Sequence, residues 1–339
     1  MSLRFTKVEL LVMSVACSMM QVAQIFRAQL KVVNRLMNLL EEIRFGFANL
    51  GKSGLMLPIN QLPDSAPAWI FTEGSVFGVA VELTDDRLVA EAFTGAQLIT
   101  VDRIVGGVLR RLLRLESNIQ SLRNEFAVIC AHMVTPGEND CLRQELLIEP
   151  SSWWKKWRHL LGNALSAKSS YGALAELLTI EKLMKQGMEV QWQGPSGGVV
   201  DVWTPAAGYE VKATISRYDS CIRVAGQFQL ALASTRLLNL IHYRFEPSVS
   251  GDSIDAAVQR LIKAGFDAEI LARSLALVGF YPGNSALRET FVVLESRLFP
   301  VCPDFPRIVP ESFLSGSLPA GVVRVEYQVD LSGLVSQSF

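Results

Sequence analysis

Two short apolar runs, separated by a turn that contains proline, constrain the fold of this chain more than any other feature. Residues 199–203 and 209–214 are rich in β-branched and aromatic side chains, as strands are. The turn at 204–208 is short, so the two strands form an antiparallel pair. Side chains alternate along a strand, so Glu210 and Lys212 project from the same face. Asp201 on the neighbouring strand then meets them at one end of a small sheet.

The surrounding sequence predicts the elements that frame this pair. Ser169 or Ser170 can cap a helix, and Gly187 stands where a glycine ends one. The predicted order is helix, three strands, helix and strand, with approximate bounds at 170–186, 189–193, 199–203, 209–214, 227–234 and 237–245.

Asp201, Glu210 and Lys212 have the chemistry of a phosphodiesterase site. Two carboxylates held close together repel, and a divalent cation relieves the repulsion; Mg²⁺ usually takes one or two carboxylates and keeps several waters. The metal would activate a water, and Lys212 would orient that water and stabilise the transition state. Glu176, on the preceding helix, could bind metal directly or through water. The alternative for Glu210 and Lys212 is a solvated ion pair on a strand, which is common.

The order of these elements resembles the PD-(D/E)XK phosphodiesterase superfamily, and more narrowly an uncharacterised bacterial family of PD-(D/E)XK proteins. The matching features are Gly172-x-x-x-Glu176-Leu177, Trp192-x-Gly194-Pro195, Asp201, Tyr209-Glu210-Val211-Lys212-Ala213-Thr214, Gln229-Leu230, Phe305-Pro306-Arg307-Ile308 and Val325-x-Tyr327. Two positions depart from the motif: Val200 stands where proline precedes the aspartate, and Val202 stands where an aromatic residue would follow it. Neither departure removes a predicted ligand.

The resemblance implies an α/β fold with a restriction-endonuclease-like core, a four-stranded mixed sheet flanked by helices. It implies that Asp201, Glu210 and Glu176 hold Mg²⁺ or Mn²⁺, that Lys212 is the catalytic lysine, and that Gln229 is an auxiliary residue on the following helix. The implied activity is metal-dependent endonucleolytic cleavage of DNA, with restriction or phage defence as the biological role. Other subunits of a defence complex and a second copy of the chain are the implied partners besides DNA. The alternative is a catalytically silent scaffold or DNA-binding subunit that keeps the nuclease fold.

A segment ahead of the predicted helix interleaves aromatic and basic residues. In residues 153–159, tryptophans alternate with Lys155, Lys156 and Arg158, and Lys168 follows. Such a segment could stack on bases and bind phosphates, so these four basic residues are predicted nucleic-acid contacts. An amphipathic helix that buries its tryptophans is the alternative. Arg110, Arg111 and Arg114 form a second basic cluster, which could contact nucleic acid or equally be a solvated face.

The 339 residues divide by texture into an N-terminal accessory domain (1–150, helical first and then mixed), the nuclease core (151–245) and an α+β extension packing on it (246–339). The net charge of -1 excludes a protein whose whole surface binds phosphate. Five scattered cysteines without a C-x-x-C pair suit a reducing compartment, so a cytoplasmic location is predicted. The apolar stretch 8–26 is interrupted by polar residues and predicts an amphipathic helix rather than a membrane span.

Residues 46–53 match the phosphate-binding pattern G-x-x-x-x-G-K-S. A functional loop of this type follows a strand and opens a helix at its lysine. Here the sequence predicts the reverse, a helix before the motif and a strand after it. Nucleotide binding through Lys52 is therefore not expected.

Overall fold

The computed structural model describes residues 34–51, 53–93, 95–158, 169–231, 237–314 and 316–339. The chain forms two compact units, Met1–Asn163 and Ala164–Phe339. The second unit contains the predicted core from residue 164 onwards and the predicted C-terminal extension, whereas residues 151–163 of the predicted core belong to the first unit. The stretch 8–26 and Lys52 lie outside the described residues. Within the described ranges, no helix has the length and apolar character needed to cross a membrane.

The first unit is built on a six-stranded antiparallel sheet in the order β1-β2-β3-β6-β5-β4. Its helices are α1 (34–49), α2 (Arg123–Val134), α3 (Cys141–Ile148) and α4 (Pro150–Arg158). Its strands are β1 (Ser53–Pro58), β2 (Ala68–Glu73), β3 (Val76–Glu82), β4 (Ala90–Phe93), β5 (Ala96–Val105) and β6 (Val108–Ser117).

The phosphate-binding motif lies between α1 and β1, so a helix precedes it and a strand follows it, as predicted. The order of the flanking elements is the reverse of that in a functional loop, in which amides at the start of a helix converge on phosphate. Gly46 belongs to the helix and packs closely against Ile70. The glycines of the motif therefore lie at the end of α1 and just after it.

The arginines of β6 are paired with carboxylates of the same sheet or of its loops. Arg110 binds Glu82 at 2.6 Å and Arg111 binds Asp102 at 2.9 Å. Arg114 lies over the Phe71 ring at 3.9 Å and pairs with two acidic residues, Glu73 at 3.2 Å and Glu116 at 2.8 Å. These ion pairs neutralise the charge of the three arginines. The cluster is therefore better explained as a face of the sheet than as a phosphate-binding site.

The second unit has a six-stranded sheet in the order β14-β12-β11-β9-β8-β7 and a separate two-stranded ribbon, β10-β13. Its helices are α5 (Ser170–Lys185), α6 (Ile254–Lys263) and α7 (Ala268–Leu277). Its strands are β7 (Gln191–Trp192), β8 (Val202–Trp203), β9 (Ala207–Thr214), β10 (Cys221–Val224), β11 (Leu237–Asp252), β12 (Phe291–Pro300), β13 (Tyr327–Asp330) and β14 (Gln337–Ser338).

This sheet is mixed, because β9 and β11 run parallel while its other neighbours are antiparallel. The parallel pair places Leu240 beside Glu210 and His242 beside Lys212. Helices α5, α6 and α7 contribute to the core on one face of the sheet, and the ribbon contributes to a second core with residues of β11 and β12. A mixed α/β fold, as expected from the sequence, is therefore present in the second unit.

Helix α5 forms where the sequence predicts it. The Ser169 hydroxyl accepts a hydrogen bond from the Gly172 amide at 3.2 Å, which caps the first turn. Gly187 ends the helix with φ of 80°, in the left-handed region that favours glycine. These two signals fix both ends of the helix, and hence the position of Glu176 along it.

Two predicted elements differ from the structure. The predicted helix at 227–234 is wrong for its described residues 227–231, which form consecutive turns, with the Gln229 amide bonded to the Gly226 carbonyl at 3.2 Å. The Gln229 side chain accepts a hydrogen bond from the nearby Ala225 amide at 2.8 Å, and such a bond competes with helical hydrogen bonds. The predicted strand 237–245 continues to Asp252, so the predicted domain boundary at residue 245 falls inside β11.

Candidate active site

A cleft of about 730 Å³ in the second unit collects the residues predicted to carry chemistry. Five of the lining residues are the predicted site residues Glu176, Asp201, Glu210, Lys212 and Gln229. They come from α5, the residue just before β8, the middle of β9 and the turn after β10. The structure thus brings together side chains that are widely separated in the sequence.

Glu176 is buried, with 1% of its surface exposed, and is held by an aromatic neighbour. The Trp192 indole N–H donates to Glu176 Oε2 at 2.7 Å. A buried carboxylate is costly unless it is hydrogen-bonded, and this contact offsets part of that cost. Trp192 therefore fixes the orientation of the helix carboxylate.

Asp201 is oriented by the backbone of the neighbouring strand. Its Oδ2 accepts a hydrogen bond from the Val211 amide at 2.8 Å, and its own carbonyl accepts from the amides of Gln193 and Gly194, both at 2.9 Å. A main-chain donor between Glu210 and Lys212 thus sets the rotamer of Asp201. The motif strand positions the aspartate as well as presenting its own side chains.

Gly194 leaves the space in which two carboxylates approach each other. A Cβ atom at this position would lie 2.6 Å from Asp201 Oδ1 and 2.9 Å from Glu176 Oε2. Both distances are far inside van der Waals contact, so both oxygens converge on the side of the glycine that lacks a side chain. Any other residue at this position would force the two carboxylates to move.

Glu210 is buried and meets two donors at one oxygen. Lys212 Nζ lies 2.9 Å from Glu210 Oε1, and the Gln229 amide Nε2 donates to the same oxygen at 2.6 Å. Lys212 keeps 20% of its side chain exposed, towards the cleft. The arrangement explains why Glu210 and Lys212 are spaced two apart on one strand.

The amide of Gln229 is held from both ends. Its Oε1 accepts from the Ala225 amide at 2.8 Å, which leaves the NH₂ group directed at Glu210. Gln229 therefore holds Glu210 in place, and it lies on a turn rather than on the predicted helix.

Residues near the C-terminus hold this turn in place. Arg307 donates to the Leu230 carbonyl at 3.0 Å, and Arg324 donates to the Ala225 carbonyl at 2.6 Å. Tyr327 on β13 pairs with Val224 on β10. Burial raises the pKa of the Tyr327 phenol, against the opposing positive charges of Arg307 and Lys212. The two motifs from the C-terminal region thus converge on the turn that carries Gln229.

The donor set of the cleft fits a hard divalent cation. Mg²⁺ and Mn²⁺ prefer oxygen ligands, and Mg²⁺ is usually held by one or two carboxylates with waters completing the octahedron. Asp201 Oδ1, beside Glu176, is placed for this role, and Glu210 lines the same cleft. Among the described residues, no three His, Cys, Asp or Glu side chains form a ready-made metal cage.

Of the predicted nucleic-acid contacts, Lys155 and Lys156 lie on α4 in the first unit. Trp154 is 1% exposed and packs in the core of the first unit, with Trp153 and Trp157 beside it. The tryptophans therefore follow the amphipathic-helix alternative rather than stacking on bases, because burial stabilises them more than exposure to solvent. Lys155 and Lys156 are exposed, and the Arg158 side chain and Lys168 lie outside the described residues.

Three contributions to the cleft were not recognised from single residues. Trp192 and Gly194 had a signal, since they form part of the Trp-x-Gly-Pro motif, but no role was assigned to them. The third is a largely apolar stretch, in which Ala276, Leu277, Val278, Gly279 and Tyr281 line the cleft. Nothing in the sequence of this stretch points to the site, because only the packing of α7 brings it there.

The second unit thus defines an α/β protein with an acidic cleft at a mixed sheet. A family model described as "Putative PD-(D/E)XK family member, (DUF4420)" matches residues 81–332. The chain belongs to this family. Comparison with curated proteins and with solved structures gave no match.

Proposed function

We propose that this protein is a divalent-metal-dependent nuclease that hydrolyses phosphodiester bonds in DNA. The observation that carries the proposal is the cleft in which three carboxylates and Lys212 meet, in a chain that belongs to a PD-(D/E)XK family. We assign strands β8, β9, β11 and β12 as the four-stranded core of a nuclease fold. Restriction or phage defence is the role that fits such an activity.

In this proposal Asp201 and Glu210 hold Mg²⁺ or Mn²⁺, and Glu176 assists directly or through water. When bound, the cation supplies Lewis-acid stabilisation of charge on the phosphate and lowers the pKa of water. Lys212, anchored to Glu210 at 2.9 Å, is placed to orient the attacking water and to stabilise negative charge that develops on the phosphate oxygens. Gln229 and Trp192 keep the carboxylates Glu210 and Glu176 in these positions.

The test is cleavage of plain and modified plasmid DNA in Mg²⁺ or Mn²⁺, with wild type beside Asp201→Ala. We expect metal-dependent nicking that Asp201→Ala abolishes. The matched control is Glu189→Gln, which changes an exposed carboxylate of the same unit outside the cleft lining. Nicking by Asp201→Ala at the wild-type rate would exclude this site as the origin of the activity.

The scaffold alternative predicts a different result. A silent nuclease fold would cleave nothing, and calorimetry would show no Mg²⁺ or Mn²⁺ binding that depends on Asp201 and Glu210. Metal binding without cleavage would instead indicate that a partner or a DNA modification is required. The complete set of carboxylates and lysine in one cleft favours the enzyme over the scaffold.

A further inference from the structure

The cleft has a second kind of lining besides its charged residues. The segment 276–281 reads Ala-Leu-Val-Gly-Phe-Tyr and carries no charge. We name as the apolar wall its five residues that line the cleft: Ala276, Leu277, Val278, Gly279 and Tyr281. Leu277 is 62% exposed and Tyr281 is 46% exposed, although both are large and hydrophobic. Burial against a ligand would remove this apolar surface from water.

The backbone of Tyr281 is anchored at the cleft. Phe280, immediately before it, is buried in the core and anchors the segment. The Asn284 amide donates to the Tyr281 carbonyl at 2.9 Å across a tight turn, in which Gly283 has φ of 92°. Because the backbone is anchored, a ligand that covers the ring needs to order only the tyrosine side chain and not the segment that carries it.

The position of the apolar wall relative to the carboxylates is also fixed. Helix α7 packs against the turn Gly194–Ser196, whose first residue lies beside Asp201 and Glu176. The wall includes Leu277, the last residue of α7, and the carboxyl end of a helix carries a partial negative charge. A phosphate is therefore disfavoured at the wall, whereas an uncharged flat group is favoured there.

We infer that the apolar wall binds the face of a nucleobase of the substrate, next to the phosphate that the carboxylates and Lys212 act on. This inference rests on the proposed function. A nucleotide combines an anionic group with a flat, uncharged ring, and the cleft offers both kinds of lining within about 730 Å³. In an intact duplex both faces of a base are covered by neighbouring bases. The wall therefore selects DNA in which a base is unstacked, as in a single strand or a flipped nucleotide.

The experiment measures binding of a short single-stranded oligodeoxynucleotide with one central 2-aminopurine, and of the same sequence as a duplex. The full chain carries Lys212→Ala to prevent cleavage, and Mg²⁺ is present. In this background we compare Tyr281→Ala, Tyr281→Phe and Tyr218→Ala; Tyr218 is 89% exposed and lies outside the cleft lining. Thermal unfolding checks that each variant is folded.

We expect the single strand to bind more tightly than the duplex and its 2-aminopurine fluorescence to be quenched on binding. Tyr281→Ala should raise Kd about tenfold and remove the quenching, as expected for the loss of one stacking contact. Tyr281→Phe and Tyr218→Ala should keep both. Equal binding by Tyr281→Ala, an equal loss in Tyr281→Phe, equal duplex binding, or no binding of either DNA would overturn the inference.

The inference and the proposed function fail in different ways. If plasmid cleavage depends on Asp201 while Tyr281→Ala binds normally, the nuclease stands and the base-binding wall is wrong. If binding depends on Tyr281 but the wild type neither cleaves DNA nor binds Mg²⁺ or Mn²⁺ through Asp201 and Glu210, the wall stands and the nuclease is wrong.

Discussion

In the first unit, strand carboxylates face arginines across the sheet, whereas in the second unit three carboxylates gather around one cleft with one lysine. Glu82, Asp102 and Glu116 each have a guanidinium nitrogen within 2.6 to 2.9 Å. In the second unit, Gly194 and Val211 bring Asp201 towards Glu176. The first arrangement neutralises charge within the protein, and the second concentrates it where a metal ion could bind.

The pKa directions in the first unit follow from this pairing. Burial alone would raise the pKa of Glu73, but hydrogen bonds and charges from Arg103 and Arg114 lower it below its ordinary value. Burial raises the pKa of Glu116, and the opposing charge of Arg114 only partly offsets it. Arg114 is therefore the cation on which the paired face depends. The comparison predicts that charge changes in the first unit alter stability, and those in the cleft alter function.

The largest effect on stability is expected from Arg114→Ala. It removes a side chain that is 6% exposed and leaves Glu116, 12% exposed, without this cation. Breaking a buried ion pair in this way costs about 3–5 kcal/mol of unfolding free energy. Urea denaturation measures the loss, and plasmid cleavage by the folded variant should be unchanged. Arg103→Ala is the control, because that arginine is 47% exposed and its pair is worth about 1 kcal/mol or less. Equal losses in both variants would contradict the assigned role of Arg114.

Lys212→Ala should have the opposite signature. Loss of one group that stabilises transition-state charge lowers the cleavage rate about 10²- to 10³-fold. The unfolding free energy should change little, since Lys212 lies at the cleft surface. Plasmid nicking measures the cleavage rate, and denaturation curves of the same preparation measure the unfolding free energy. A variant that unfolds readily but cleaves at the normal rate would make Lys212 a structural residue like Arg114.

Acid should weaken the second unit through His242. Burial, assisted by the charge of Arg244, lowers the pKa of His242 from 6.5 to about 4. As the pH falls through 6.5 the unfolded chain binds a proton that the folded chain refuses until about pH 4. Up to about 3 kcal/mol of stability is therefore lost across this window.

Glu295, Arg297 and Asp219 also act on this imidazole, and Lys212 lies beside it in the strand register. Unfolding free energies measured between pH 4 and 7 should fall towards acid in the wild type, and fall less steeply in His242→Gln. Parallel curves would show that other groups govern the acid response.

Gly194→Ala should give the smallest of these effects and the most local. The added methyl group would displace Asp201 and Glu176, so Mn²⁺ affinity measured by calorimetry should fall about 10- to 100-fold, as when support of a metal ligand is lost. Gly226→Ala is the matched control, because nothing lies within 4 Å of a Cβ there. If both alanine variants bind Mn²⁺ alike, the two carboxylates do not form the metal site.

Local signals made a large part of the second unit predictable. Ser169 and Gly187 define α5, and the short turn after Trp203 dictates the antiparallel pairing of β8 with β9. The face shared by Glu210 and Lys212 follows from the two-residue period of a strand. These inferences needed only neighbouring residues.

The remaining features depend on contacts between distant segments. The parallel pairing of β9 with β11 and the ribbon of β10 with β13 join strands whose partners have no local mark in the sequence. The turn at Gln229 has apolar spacing suited to a helix, yet tertiary hydrogen bonds from Arg307 and Arg324 favour turns. Tyr281 reaches the cleft only because α7 packs beside Gly194.

The same long-range ribbon has a consequence for the synthesis of the protein. The ribosome makes the segment with Glu176, Asp201, Glu210 and Lys212 well before Arg307, Arg324 and β13. A nascent chain that has reached only Gln229 lacks the residues that hold this turn against Glu210. The contacts that hold the Gln229 turn can therefore form only after the ribosome has made residues 307–330.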